Sequence, residues 1–317
     1  MSRYFLGVDG GQSSTTALIG DAAGRVVGAG HGGPCNHVGA EEGRTKFISA
    51  LNACVQAACL QAGLDASSVR FVSACLGFSG GPADKEALVH EILPSGRTLV
   101  TDDARIAFAG AAGGAPGLIV IAGTGSIAFG RNAAGETARA GGWGYLFGDE
   151  GGGFYIARQA LRAALRSEEG WGAPTALRSV LLHATGARDM SDLLHRCYTS
   201  EFPHSRVAGF AKLVDAAAEN GDHIAREILH ESAQQLAMLA AAVRRQLFGA
   251  GDVVRLAYVG GVFHSRTLLA RFQSLVELEE GNRLAPPLYG PAAGALLEAY
   301  RAAGVECTLS NVPSQKF

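Results

Sequence analysis

The chain has 317 residues, enough for two domains of ordinary size. Hydrophobic residues make up 48% of it and charged residues 18%, which excludes extended disorder. With 27 basic against 29 acidic side chains it has no broad positive field, so we expect neither nucleic acid nor a membrane as a partner. Six cysteines without a C-x-x-C pair do not indicate a disulfide framework. We find no signal peptide or long apolar run and expect a cytoplasmic protein.

The first thirty residues have the pattern of strand, glycine turn, strand, turn and strand. YFLGV ends at Asp9-Gly10-Gly11, SSTTALIG follows as a second strand, and DAAG separates it from RVVGAG. Residues 117–140 (GLIVIAGTGSIAFGRNAAGETARA) repeat this order, with Asn132 in the place of Asp21. A repeat of this size predicts two related domains. Chance similarity of two hairpins is the alternative.

Helix and strand patterns alternate through the rest of the chain, as is typical of α/β proteins. Helices are predicted at 40–63, 83–93, 153–167, 174–184, 205–219, 222–249 and 291–303, and further strands at 70–76, 97–101 and 253–259. GGAP near 113–116 indicates a boundary. We expect an N-terminal domain at 1–115 and a larger C-terminal domain at 116–290, with a final helix within 291–317 that packs back on the N-terminal domain.

The glycine turns are candidate phosphate loops, because glycine lets backbone N–H groups approach phosphate oxygens closely. They match neither the Walker A loop nor the G-x-G-x-x-G fingerprint, and an ordinary hairpin turn is the alternative for each. A third glycine pair ends the strand near 253–259, where an adenosine could lie against the backbone; a strand-to-helix turn is the alternative there. The candidate nucleotide contacts are Asp9, Gly10, Gly11, Ser13, Ser14, Gly123, Thr124, Gly125, Ser126, Gly260 and Gly261.

Two such turns, one from each domain, would hold a nucleoside triphosphate from both sides. Asp9 would then arrange Mg²⁺ on the phosphates, directly or through water. The scattered histidines and cysteines suggest no metal site made of protein ligands. Mg²⁺ would therefore arrive with ATP.

Five segments carry a resemblance to a known family. They are GVDGGQSSTT, TDDARIAFAGA, IAGTGSIA, GGWGYLFGDEGGGFYIARQAL and YVGGVF. Together they resemble the N-acetylglucosamine kinase branch of the sugar kinase, Hsp70 and actin superfamily, which is grouped with the ATPases that activate benzoyl-CoA reductase and 2-hydroxyglutaryl-CoA dehydratase. The segments occur in family order and span nearly the whole chain.

The resemblance implies an α/β protein with two ribonuclease-H-like (actin-like ATPase) domains and ATP in the cleft between them. It also implies ATP-dependent phosphorylation of an amino sugar at its 6-hydroxyl, with N-acetylglucosamine as the expected substrate and glucosamine as the alternative. Closure of the cleft on the sugar would exclude water. A homodimer is expected by family analogy alone.

The strand RTLVT ends at two aspartates that begin a helix, so one could cap the helix while the other points toward substrate. The family motif places the catalytic aspartate directly before alanine, which implies Asp103 as the base. Asp102 is the alternative, and a capping role for both aspartates is a second alternative.

The resemblance also implies sugar contacts. Asn36 and His37 match the family's Asn-His pair, and Gly142, Trp143 and Asp149 fall in the segment that contacts the sugar, the first two near the 2-acetamido group. Trp143 as a partly buried core aromatic, Asn36 as a polar loop residue and Asp149 as a helix cap are the alternatives.

Two other functions are possible on this fold. An activator ATPase would share an iron–sulfur cluster through cysteines in the middle of the chain, but none lies between 76 and 196. A non-catalytic sugar or nucleotide sensor would be expected to lack a catalytic position, yet Asp9, Asp103 and Asp149 are all present.

Overall fold

The computed structural model describes residues 3–11, 13–35, 41–80 and 83–314, with backbone alone at 41 and 42. The chain divides into two compact units. Unit 1 is Met1–Pro116 with Pro286–Phe317, and unit 2 is Gly117–Ala285. Among the described residues, no helix is both long enough and apolar enough to cross a membrane.

Each unit is built around a mixed sheet of five strands. The strands are β1 (Tyr4–Gly10), β2 (Thr15–Asp21), β3 (Val26–Gly32), β4 (Ser73–Phe78), β5 (Thr98–Asp102), β6 (Gly117–Ala122), β7 (Ser126–Arg131), β8 (Thr137–Gly141), β9 (Val254–Val259) and β10 (Asn282–Ala285). The order is β3-β2-β1-β4-β5 in unit 1 and β8-β7-β6-β9-β10 in unit 2. In both sheets the first three strands are antiparallel and the last two run parallel to the first. The α/β fold with an internal repeat is confirmed.

Helices cover the sheets. They are α1 (Glu41–Gln61), α2 (Glu86–Ile92), α3 (Asp103–Ala112), α4 (Gly153–Glu168), α5 (Leu177–Thr185), α6 (Met190–Cys197), α7 (His204–Ala208), α8 (Ala211–Glu219), α9 (His223–Leu247), α10 (Arg266–Val276) and α11 (Pro291–Ala302), with a short 3-10 helix at Gly261–His264. In unit 1, α1 contributes to one core, which contains Phe47, Leu51 and Phe78. Helix α11 contributes to another core, with Phe5 and Tyr300.

Helices α3 and α11 cross at very short range in unit 1. A Cβ on Gly294 would lie 1.9 Å from the backbone oxygen of Ile106, so only glycine allows this crossing. The Arg105 guanidinium also reaches the buried carboxylate of Glu298, at 3.1 Å. Since α3 begins at Asp103, α11 holds in place the helix that carries the predicted catalytic residue.

The turns after β2 and β7 use the same hydrogen bonds. The Asp21 carboxylate accepts from the amides of Ala23 and Arg25, at 2.9 and 3.1 Å. In unit 2 the Asn132 side-chain oxygen accepts from the Glu136 amide at 3.0 Å. The two positions matched in the sequence therefore have the same local role.

The predicted elements differ from the structure mainly in unit 2. The single helix expected at 205–219 is divided into α7 and α8, because the amides of Gly209 and Phe210 bond three residues back instead of four. Helices α6 and α10 and strand β10 were not predicted. The strand expected at 70–76 lies at 73–78.

Candidate functional site

The predicted catalytic residues lie at one edge of the unit 1 sheet. Asp9 pairs with Gly77 of the parallel strand β4, and Phe78 pairs with Asp102 of β5. The carboxyl ends of three parallel strands thus meet here, the usual place for a ligand site in such sheets. The Ser79 hydroxyl donates to Oδ2 of Asp103 at 2.8 Å, which fixes that carboxylate at the same edge.

The two neighbouring aspartates have different contacts. Asp102 is the N-cap of α3, and its carboxylate accepts from the Arg105 amide at 2.8 Å. Asp103 is the first helical residue, and its carboxylate is held by Ser79. Asp102 is thus the N-cap, whereas Asp103 bonds the Ser79 hydroxyl as well as amides at the start of its own helix. Which of the two accepts a proton stays a prediction.

The Asp9 and Asp103 carboxylates at this edge have raised pKa values, which favour binding of a proton or a cation. Burial and the nearby Asp103 carboxylate raise the pKa of Asp9 to about 6. Burial and the charge of Asp102 raise the pKa of Asp103 above its ordinary value, and the hydrogen bond from Ser79 opposes the rise. Low-dielectric surroundings and like charges disfavour ionisation, and a nearby cation would reverse the effect.

The first glycine turn follows Asp9 directly. The Gly11 amide closes this turn by donating to the Ser14 carbonyl at 2.9 Å, and the Gly11 carbonyl accepts from the Cys35 amide at 3.0 Å. The side chains of Ser13 and Ser14 are exposed beside it. Their hydroxyls are therefore accessible to a ligand next to Asp9.

In unit 2 the second glycine turn supports the start of α4. The Gly123 and Thr124 carbonyls accept from the amides of Gly153 and Phe154, at 2.8 and 3.0 Å. The Ser126 hydroxyl donates to the Glu150 carbonyl at 2.6 Å. The segments 123–126 and 149–154, predicted to bind phosphate and sugar respectively, therefore form one local structure.

Asp149 contacts this turn directly. Its φ of 61° is unusual for a residue other than glycine, and its carboxylate accepts from the Ser126 amide at 3.3 Å. A Cβ on Gly125 would lie 2.4 Å from the Asp149 carboxyl carbon, so any larger residue at 125 would displace the Asp149 side chain. Backbone strain of this kind tends to occur at functional sites.

The loop between Gly142 and Asp149 presents apolar side chains to solvent. Trp143 is 68% exposed, and the Arg139 guanidinium lies 4.8 Å from the centre of its ring. Leu146 and Phe147 are also exposed. The ring of Tyr145 anchors the loop against the ring of His204, 4.4 Å away. Trp143 is not a core aromatic, so the exposed ring is open to a ligand.

A cavity of about 380 Å³ lies beside the second glycine turn, entirely within unit 2. It is lined by Gly123 and Thr124 on one side and by Gly261 on another. Gly260, with a φ of 116°, packs against the backbone of Ala122. The cavity is of the size that binds small molecules. It brings the second and third predicted glycine motifs to one site.

Comparisons with known proteins identify the family of the chain. The model of the BadF/BadG/BcrA/BcrD ATPase family matches residues 6–299. The chain belongs to this family. It is 31% identical over 268 residues to an N-acetylmuramic acid/N-acetylglucosamine kinase of Clostridium acetobutylicum, covering 83% of this chain and 86% of the relative. It is 30% identical over 314 residues to an N-acetyl-D-glucosamine kinase of Dictyostelium discoideum, covering 94% and 98%.

A solved structure from Chromobacterium violaceum, of a protein proposed to be an N-acetylglucosamine kinase, has a TM-score of 0.75 and 27% identity. The match covers 93% of this chain and 98% of that one. The resemblance found from the motifs is confirmed at the level of family and fold.

For this member of the ATPase family, the roles of individual residues stay predictions. The structure brings together Asp9, Gly10, Gly11 and Asp103 in unit 1. In unit 2 it brings together Asp149 with the turn 123–126. The predicted sugar contacts Asn36 and His37 lie outside the described residues.

Sequence reasoning missed the part of the cavity formed by α7, α8 and the start of α10. Its polar lining residues there are Ser205, Lys212, Asp215, His264 and Ser265. They lie in or beside α7 and α8, which were predicted as one helix, or at the start of α10, which was not predicted. The glycine at 209, which also lines the cavity, was the available signal, because glycine within a helical pattern is often a break.

Proposed function

We propose that this protein is an ATP-dependent amino-sugar kinase, which transfers the γ-phosphoryl group of ATP to the 6-hydroxyl of N-acetylglucosamine. The observation that carries the proposal is the Asp103 carboxylate, held by Ser79 at the edge where Asp9 also lies. Support comes from two relatives at 30–31% identity that are named as kinases of N-acetylated amino sugars.

In the proposed reaction Asp103 is the proton acceptor. The sugar hydroxyl oxygen forms a bond to the γ-phosphorus, and the bond from that phosphorus to the β–γ bridging oxygen breaks, releasing ADP. The hydroxyl proton passes to the carboxylate of Asp103. Burial raises the pKa of Asp103, which makes its carboxylate a stronger base. The hydrogen bond from Ser79 to Oδ2 holds the carboxylate in one orientation at this edge.

Asp9 fits a Mg²⁺ ion that arrives with ATP. Magnesium prefers carboxylate oxygens and bound water, and Asp9 is a carboxylate whose pKa is raised by burial and by the neighbouring Asp103 carboxylate. Bound Mg²⁺ would neutralise phosphate charge. The accessible hydroxyls of Ser13 and Ser14 would orient the phosphates beside Asp9, and the turn that begins at Gly10 and Gly11 would position those hydroxyls.

Unit 2 supplies the other groups in this proposal. Gly123 and Thr124, which line the cavity, would contact the phosphates with Gly125 beside them, and the part of the cavity that includes Gly261 would hold the nucleoside. The predicted contact from Ser126 does not fit, because its hydroxyl and amide already bond Glu150 and Asp149. We further propose that unit 1 and unit 2 are the two domains of the kinase, with boundaries close to those expected at 115 and 290.

The proposed sugar contacts are Asn36, His37, Gly142, Trp143 and Asp149. The exposed ring of Trp143 offers an apolar face for a sugar or its acetamido methyl group, and Asp149 offers a carboxylate to hydroxyl donors. The Clostridium relative is named for N-acetylmuramic acid as well. N-acetylmuramic acid is therefore a second candidate substrate, and glucosamine a third.

The decisive experiment measures ADP release with Mg·ATP against a panel of N-acetylglucosamine, N-acetylmuramic acid, glucosamine, N-acetylmannosamine and glucose. NMR of the product locates the phosphate. We expect ADP release that depends on N-acetylglucosamine, with phosphate on O6. Slow ADP release that is indifferent to every sugar would instead identify an activator or sensor ATPase and contradict the proposal.

A further inference from the structure

The cavity of unit 2 contains a pair of polar side chains that have no assigned role. Asp215 lies on α8, and Ser265 is the N-cap of α10; both line the cavity beside Gly123 and Thr124. The Ser265 hydroxyl donates to Oδ1 of Asp215. The hydroxyl oxygen in turn accepts from the Leu268 amide at 3.2 Å. The helix cap therefore directs the Ser265 proton toward Asp215 and orients its carboxylate.

The position of Asp215 restricts which part of a nucleotide it can contact. A carboxylate repels phosphate unless a cation lies between them, and the Mg²⁺ is assigned to Asp9, so Asp215 is not suited to the phosphate end of the ligand. An ionised carboxylate only accepts hydrogen bonds, so its ligand group must be a donor. In adenosine the available donors are the ribose hydroxyls and the exocyclic amine of the base.

We propose that Asp215, oriented by Ser265, is a nucleoside-recognition residue whose carboxylate accepts hydrogen bonds from the ribose hydroxyls or the exocyclic amine of adenosine. Ser265 is a positioning residue, since it acts through Asp215. The inference rests on the proposed function only in taking an adenine nucleotide as the occupant of the cavity. It adds a specificity determinant to that function.

Calorimetric titration with ADP and its analogues tests the proposal without any sugar. The probes are ADP, 2′-deoxy-ADP, 3′-deoxy-ADP and inosine diphosphate, which replaces the exocyclic amine by a carbonyl oxygen. We expect the wild type to bind at least one analogue about tenfold more weakly than ADP, the scale of one good hydrogen bond to a charged group. Asp215→Ala should bind ADP and that analogue with equal affinity.

The analogues identify which donor is recognised. A penalty confined to the deoxy nucleotides, and lost in Asp215→Ala, assigns the carboxylate to the ribose; one confined to inosine diphosphate assigns it to the base. Discrimination that is unchanged in Asp215→Ala would overturn the proposal. So would a wild type that binds all four probes equally.

Further variants separate recognition from folding. Glu219→Ala changes an exposed carboxylate on the same helix, outside the cavity lining, and should keep the wild-type discrimination. Asp215→Asn keeps the side-chain size and should still lose part of the discrimination, which tests the proposal if the alanine variant is unfolded. Ser265→Ala should reduce discrimination several-fold. Full discrimination in Ser265→Ala would contradict its positioning role.

Failure of this inference is distinct from failure of the kinase proposal. A wild type that discriminates among the diphosphates through Asp215 but shows no sugar-dependent turnover would refute the kinase function alone. Sugar-dependent turnover with an Asp215→Ala variant that discriminates as well as the wild type would refute the recognition role alone.

Discussion

The two units share one sheet order and one kind of hairpin turn, but they differ at the edge where the parallel strands end. The next-to-last residue of β1 is Asp9, whereas that of β6 is Ile121. Unit 1 adds Asp103 at this edge, and unit 2 has a cavity beside the glycine turn instead. The same framework thus carries an acidic edge in one unit and a cavity in the other, so the fold alone does not determine the function of either unit.

The largest effect is expected from substitutions at the two neighbouring aspartates of unit 1, Asp102 and Asp103. Asp103→Asn should lower turnover by roughly 10²- to 10⁴-fold, the usual scale for a positioned acid–base group, while sugar affinity stays largely intact. Steady-state kinetics and sugar titration measure the two effects.

The neighbouring residue is the matched control. Asp102→Asn should keep most of the activity, because asparagine is as good an N-cap as aspartate for α3. Near-normal turnover in Asp103→Asn, or an equal loss in both variants, would remove the special role of Asp103.

The turn of unit 2 is tested through its closest contact. Gly125→Ala places a methyl group against the Asp149 carboxylate and should lower the free energy of unfolding by about 1 to 3 kcal/mol, as overpacking does. Gly123→Ala meets nothing within 4 Å and should cost less. Chemical denaturation measures both.

A second substitution sharpens this test of the unit 2 turn. Asp149→Gly removes the colliding carboxylate at a position with positive φ, so it should recover stability in the Gly125→Ala background. If the double variant were no more stable than Gly125→Ala alone, the contact between the two residues would not be the cause of the loss.

The crowded carboxylates of unit 1 predict a dependence of stability on pH. Because the pKa of Asp9 is raised to about 6 in the folded protein, ionising it costs stability as the pH rises from 4 to 6, and the cost is complete above 6. Asp9→Asn should therefore be more stable than the wild type at pH 7.5, by about 2 kcal/mol after allowance for solvent screening. Denaturation without nucleotide or Mg²⁺ measures this.

The hairpin turn of unit 1 provides a control, because ionising Asp21 should raise the stability, whereas ionising Asp9 should lower it. Backbone amides and Arg25 lower the pKa of Asp21, so its charge stabilises the fold above its unfolded pKa. Asp21→Asn should therefore be slightly less stable than the wild type at pH 7.5. An Asp9→Asn variant that is no more stable than the wild type at that pH would contradict the proposed crowding.

The exposed tryptophan of unit 2 predicts the smallest effect. Trp143→Ala should raise the KM for the sugar about tenfold by removing an apolar face, with little change in Tm. Trp171→Ala is the matched control: Trp171 is 64% exposed and lies 4.8 Å from the Arg166 guanidinium, as Trp143 does from Arg139. Equal effects of both substitutions on KM would exclude a specific sugar contact.

Sequence alone predicted the repeated hairpins because their turn chemistry is local. Asp21 and Asn132 act on residues within four positions, and strand alternation sets the register on either side. The long helix α9 could also be predicted from the sequence, since its apolar spacing continues over 25 residues.

The remaining features depend on contacts that no local pattern encodes. Asp149, whose backbone adopts a positive φ, meets Ser126 across 23 residues, and Asp215 meets Ser265 across 50 residues. The choice between Asp102 and Asp103 as the helix cap also needed the side-chain geometry. The residue pattern left both aspartates as candidate caps, and only the family motif favoured Asp103 as the base.

The crossing of α3 by α11 has a consequence for biosynthesis. Unit 2 is one continuous stretch, so it can complete its core as soon as residue 285 has emerged from the ribosome. Unit 1 is made of two stretches, and the apolar face that contains Phe5 and Ile106 lacks its cover until α11 is made. The part of the chain that is synthesised first is therefore expected to finish folding last.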